Sequence, residues 1–190
     1  MSESNDSQIL PAADLAQITN RQLLVKMLKL ACPIIATMVS QTAMQFVDFA
    51  MVSTLGIDAM AAVMPAGIFL FCFISFGMGV LVMVNSLVSQ SLGRKQFSDC
   101  AAYTWQGIYV ALAMGLAVLP VYWFVPEFFN WVGHNDNVAQ MEITYVNIGI
   151  VGIMPVLLAI ALSSFFNGIH KPVVGMVAAI TANIINIFCN

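Results

Sequence analysis

From Leu23 to Asn190 the sequence consists of long apolar runs with almost no charge inside them. Five such runs, at about 23–54, 60–92, 100–124, 138–167 and 172–190, are long enough for a helix rising ~1.5 Å per residue to cross a ~30 Å hydrocarbon core. Across the chain 61% of residues are hydrophobic and 8% charged, with a mean hydropathy of +0.91. A soluble domain carries about 25% charged residues. Backbone groups in lipid must bond within their own structure, which leaves helices or closed barrels, and the period-2 alternation of barrel strands is absent. The sequence therefore predicts an all-α integral membrane protein with five transmembrane helices. A bundle over 23–190 follows a polar, acidic tail at 1–22, which lacks the basic start, apolar stretch and cleavage site of a secretory signal.

Orientation follows from the basic residues. All six (Arg21, Lys26, Lys29, Arg94, Lys95 and Lys171) fall on one side if the five spans alternate. The opposite loops, "TLGID" and "PEFFNWVGHNDN", contain none. Lys and Arg in short loops stay inside, so the expectation is a multi-pass protein with a cytoplasmic N-terminus. Trp123 and Trp131 suit the outer interface belt, and Tyr103 and Trp105 the inner one. His134 and His170 fall in loops and are read as solvated. Cys32, Cys72, Cys100 and Cys189 lie in or beside apolar runs without framework spacing and are read as buried small hydrophobes.

Asp48 is the anomaly. A central Asp costs roughly 2.5 to 3.5 kcal/mol on insertion, while each Leu, Ile, Phe or Val returns about 0.3 to 0.6. The eight such residues from Leu30 to Val52 return on the order of 2.4 to 4.8 kcal/mol, which barely offsets Asp48. At 100° per residue, Thr37, Gln41, Gln45 and Asp48 share an arc of about 80°, so this face must look into a bundle or a wet cavity. Two readings are open: a hydrogen-bonded structural stripe, or a carboxylate that binds an ion or a proton. In the fifth run Asn183, Asn186 and Asn190 are spaced three and four apart, with Gly175 and Ala179 extending the stripe in small residues. Those amides serve either as interhelical glue or as ligands for a cation. No phosphate loop, His-Glu-x-x-His motif or nucleophile elbow is present, so catalysis has no support.

The stretch "LACPIIATMVSQTAMQFVDFAMVSTLGIDAMAAVMPA" resembles the opening of the multidrug and toxic compound extrusion (MATE) family. It has an early proline, a Q-x-x-x-x-x-V-D segment, a Leu-Gly turn and an Ala-rich second helix. "VSQSLGRKQFSD", "FFNGIHKPVVGM" and "NIINIFCN" agree, and the similarity runs from about 23 to 190. The resemblance implies a secondary antiporter, not an enzyme, coupled to H⁺ or Na⁺ and exporting drugs or organic cations, with no cofactor, no nucleic acid and membrane lipids as surroundings. It implies twelve helices in two six-helix lobes, this chain supplying most of the N-terminal lobe. The sixth helix and the C-terminal lobe, needed for a full transport path, are expected beyond it.

In that frame Asp48 belongs to the ion-coupling site, with Asn186 and Asn190 on the fifth helix and Na⁺ as its one candidate metal. Thr37, Gln41, Gln45 and Asn183 are the expected supporting or cavity-lining residues. Some relatives carry Asp where Asn190 stands, which leaves Asp48 as the only carboxylate expected well inside the membrane. The alternatives are a lipid-linked-sugar flippase of the same superfamily, which would line its cavity with basic residues, and a non-transporting membrane subunit.

Overall fold

The computed structural model describes residues 20–189; residues 1–19 of the expected tail, and Asn190, lie outside them. The described chain forms α1 (Asn20–Ser53), α2 (Ile57–Gly93), α3 (Phe97–Val118), a 3₁₀ segment (Leu119–Trp123), α4 (Val125–Val132), α5 (Asp136–Gly168) and α6 (Pro172–Cys189), with no strand among the described residues. Four helical segments, Met27–Ser53, Ile57–Gly93, Phe97–Trp123 and Asp136–Gly168, are long and apolar enough to cross a membrane, and Pro172–Ile187 is a shorter apolar helix. Pro33, Pro65 and Pro155 are accommodated inside α1, α2 and α5.

The principal packing is α2 against α5. Buried positions recur every three or four residues on both: Ala62, Ala66, Leu70, Leu81 and Val88 on α2, and Val146, Ile150, Ile153, Leu157 and Ala161 on α5. Near one end the helices approach so closely that a Cβ on Gly168 would lie 2.9 Å from Val88 Cβ and 3.0 Å from the carbonyl oxygen of Asn85. Ser89 Oγ donates to the Gly168 carbonyl (3.1 Å), which joins the helices there. α3 packs against both α2 and α5, while α1 packs mainly on α6 and touches α2 only lightly. Two helix pairs thus lie side by side with limited contact between them.

The stripe on α6 meets both neighbours, α5 through Gly175 and α1 through Asn183. A Cβ on Gly175 would sit 3.2 Å from Ser163 Oγ of α5, and Asn183, 9% exposed, donates from Nδ2 to Ser40 Oγ at 2.9 Å. Most large apolar side chains of α1 point outward, as lipid-facing residues do. The same arrangement corrects the cysteine reading: Cys100 is buried, but Cys32 and Cys72 are exposed on outward faces.

At the end carrying Arg94, Lys95 and Lys171, α2 and α5 stop in the same way. Lys95 (φ 60°) and His170 (φ 57°) take the left-handed conformation. Lys95 N–H bonds to Leu92 O and Gln96 N–H to Ser91 O; His170 N–H bonds to Asn167 O and Lys171 N–H to Phe166 O. Both are Schellman caps made without the usual glycine. At the other end a helix replaces part of the expected 126–137 loop. Val125 and Phe129 of α4 face inward at a spacing of four, while Phe124, Phe128 and Trp131 stay exposed. Gly133 (φ 78°) closes α4.

Two outcomes are expected. Lys95→Gly and His170→Gly should each stabilise the protein by about 1 kcal/mol in denaturant unfolding, because a left-handed non-glycine residue is strained. No gain in either would mean that the two caps are not as described. A double-mutant cycle on Ser40→Ala and Asn183→Ala should give a coupling near ~0.6 kcal/mol, typical of side-chain hydrogen bonds between membrane helices. Strictly additive single effects would remove that bond from the account.

Candidate functional site

Where the α1–α6 pair meets the α2–α5 pair, the limited contact leaves a cavity of about 1010 Å³. Gln45 and Asp48 of α1, Val63 and Leu70 of α2, Tyr145 and Gly149 of α5, and Asn186 of α6 line it. These positions fall toward the ends of α1 and α6 and the beginnings of α2 and α5, so the cavity lies in the half of the bundle away from the basic residues. Asp48 is therefore nearer that end than the middle of its helix.

Asp48 is partly buried, and Asn186 presents a carbonyl oxygen that is buried with no hydrogen-bond partner. The neighbouring Asn183 plays a different part. Its bond to Ser40 pins α6 on α1, and Asn186, three residues on, is thereby set on the cavity wall. Asn190 lies outside the described residues.

The polar arc of α1 divides. Thr37 Oγ1 donates to the Pro33 carbonyl at 2.9 Å, so its hydroxyl is used within the helix. Gln41 is exposed and does not line this cavity. The stripe from Thr37 to Asp48 extends over about 16 Å of helix, and only its Gln45–Asp48 end meets the opening between the two pairs.

A second cavity of about 670 Å³ adjoins the first, sharing Val52, Leu55, Val63, Tyr145 and Ile148 with it. Asp58, Asn137, Gln140 and Thr144 add its polar groups. Both cavities have mostly apolar walls, each has one carboxylate, and neither is lined by Lys or Arg. A carboxylate and amide oxygens around a partly dry space suit a proton or a hard monovalent cation. No cluster of three His, Cys, Asp or Glu side chains able to hold a metal is present among the described residues.

Sequence reasoning missed one buried acid. Glu142 of α5 is 0% exposed, and its Oε1 lies 2.9 Å from His134 Nδ1. His134 is thus bonded rather than simply solvated, and Asp48 is not the only carboxylate inside the bundle. A signal was available, because Glu142 interrupts the apolar series Ala139, Val146, Ile150, Ile153 at helical spacing.

Comparisons with known proteins agree on what this bundle is. Relatives include a probable multidrug resistance protein NorM of Agrobacterium fabrum, 30% identical over 144 residues (76% of this chain and 31% of the relative), and one of Brucella suis, 28% identical over 174 residues (90% and 37%). The chain spans about a third of the length of these curated relatives. Among solved structures, an outward-facing multidrug resistance MATE family transporter of the MOP superfamily superposes with a TM-score of 0.82 at 18% identity, covering 95% of this chain and 40% of that one. A MOP superfamily transporter from Pyrococcus furiosus gives a TM-score of 0.81 with the same coverage. The MatE family model matches residues 33–190, and the chain belongs to that family.

Proposed function

We propose that this chain forms the N-terminal-lobe part of a cation-coupled antiporter that exports drugs or organic cations. In this reading the N-terminus is cytoplasmic, the membrane is the plasma (inner) membrane, and the chain works as a carrier rather than an enzyme. The coupling ion, H⁺ or Na⁺, is held at Asp48 with Gln45 and Asn186, and Asn190 is assigned to the same site by its spacing four residues after Asn186 in the sequence. The observation that carries the reading is the pairing of Asp48 with the unpartnered carbonyl oxygen of Asn186 on one cavity wall. A buried acceptor left unsatisfied is costly, and a bound cation, or a proton carried by Asp48, would offset that cost.

Proton and sodium ion would compete for the same oxygens. To drive export, either must favour one arrangement of the cavity over the other, because a ligand that binds both equally shifts nothing. The geometry suits such a role, since the ligands come from α1 and α6 and the opposite wall from α2 and α5, with few contacts between the pairs. The apolar walls and the carboxylate at Asp48 suit lipophilic cations. The absence of Lys and Arg from both cavity walls disfavours a flippase for an anionic lipid pyrophosphate.

The test is drug efflux under an imposed proton or sodium gradient, at matched expression of the chain in its native genetic context. Asp48→Asn should insert normally, since a costly charge is gone, and should lose gradient-driven efflux. Asp58→Asn, on an exposed residue at the start of α2, should retain it. Undiminished efflux in Asp48→Asn would reduce Asp48 to a structural residue.

A further inference from the structure

A second titratable site lies apart from the Asp48 cavity, whose wall contains neither His134 nor Glu142. Gly133 turns the chain out of α4, Asn135 caps α5 by accepting from Asn137 N–H, and His134 between them bonds to Glu142 nearly two turns into α5. The His134 side chain is 40% exposed and that of Glu142 0% exposed. The remaining oxygen of Glu142, Oε2, is buried with no hydrogen-bond partner.

What else could balance the charge of Glu142 is limited. No Lys or Arg occurs between Lys29 and Arg94 or between Lys95 and Lys171, so α2, α4 and α5 present no cationic side chain at this end of the bundle. The titratable groups on the elements packed here are Asp58 on α2, Tyr122 in the 3₁₀ segment, Glu127 on α4, and Asp136 and Tyr145 on α5. All five are exposed, and none supplies positive charge.

We propose that His134 and Glu142 form a proton-binding site that fastens the α4–α5 turn to the bundle. With one ring proton, on Nδ1 and donated to Glu142 Oε1, the pair carries a net charge of −1 in a buried place. Uptake of one proton from water on the partly exposed imidazole makes the pair neutral, either as imidazolium with carboxylate or as imidazole with carboxylic acid. Burying a neutral pair costs far less than burying an unbalanced carboxylate. The fastened turn and the bound proton therefore favour each other. Loss of the proton drives Glu142 toward water and loosens α4, which is attached through Val125 and Phe129 alone among its buried residues.

The sign follows from this linkage: acid favours the fastened turn and base the loosened one. The test is hydrogen exchange of the amides in 125–142, in the purified chain in lipid nanodiscs, at about pH 5.5 and about pH 8 after correction for intrinsic rates. Wild-type opening should be about fivefold more frequent at the higher pH. Glu142→Gln, which keeps the shape and removes the charge, should make opening independent of pH, whereas His134→Gln, which leaves Glu142 as a lone buried carboxylate, should open more often than wild type at about pH 5.5. Unchanged exchange in α2 and α3 would show that each variant is folded. Wild-type opening that does not vary with pH, a pH dependence that persists in Glu142→Gln, or His134→Gln opening no more often than wild type at about pH 5.5 would overturn the proposal. It stands or falls separately from the role of Asp48.

Discussion

The interface between α2 and α5 is the constraint on which the other features depend. Its two apolar faces, with Gly77 against Leu157, Gly149 against Leu70 and Gly168 against Val88, commit both helices to each other along most of their length. Because those faces are taken up, α1 and α6 pair with each other instead, with the Asn183–Ser40 bond between them. The opening that holds Asp48 is the space left between two well-made pairs. Helices in lipid gain little from burying apolar surface against one another, so close packing and a few polar bonds decide who pairs with whom.

The polar groups within the bundle divide by what they bond. Ser40 with Asn183 and Ser89 with Gly168 are satisfied between helices, and Thr37 is satisfied within its own helix. These hold the fold. Among the described residues, three buried oxygens stand apart as unpartnered: Asn186 Oδ1, Glu142 Oε2 and Asn147 Oδ1. Native proteins seldom leave such groups unmatched, and those that do occur ask for an unseen partner. For Asn186 the adjoining cavity with Asp48 supplies a place for one, and for Glu142 the neighbouring histidine supplies a route for a proton. Asn147 lines neither cavity, and nothing in the structure explains its unpaired oxygen.

Much of this was legible in the residues. The apolar runs announced helices that cross a membrane, and the spacing of Gln45, Asp48 and the fifth-helix asparagines announced polar faces. What the spacing did not disclose was where along a face the neighbour ends. Thr37 and Gln41 share an arc with Asp48, yet the opening is shorter than the arc. α4 was hidden because eight residues carry too little periodicity to separate a short surface helix from an aromatic loop. Glu142 was partly legible, since it falls in the apolar series of its helix, but only the fold shows it fully buried and bonded to His134.

The central claim is that Asp48 and Asn186 bind the same ion. It is tested most directly by infrared difference spectroscopy of the protein in lipid while sodium concentration or pH is stepped. If they do, the ion-induced difference spectrum contains a carboxylate band that is absent in Asp48→Asn and displaced in Asn186→Ala, where one ligand oxygen is gone. A difference spectrum identical in wild type and Asp48→Asn would contradict it.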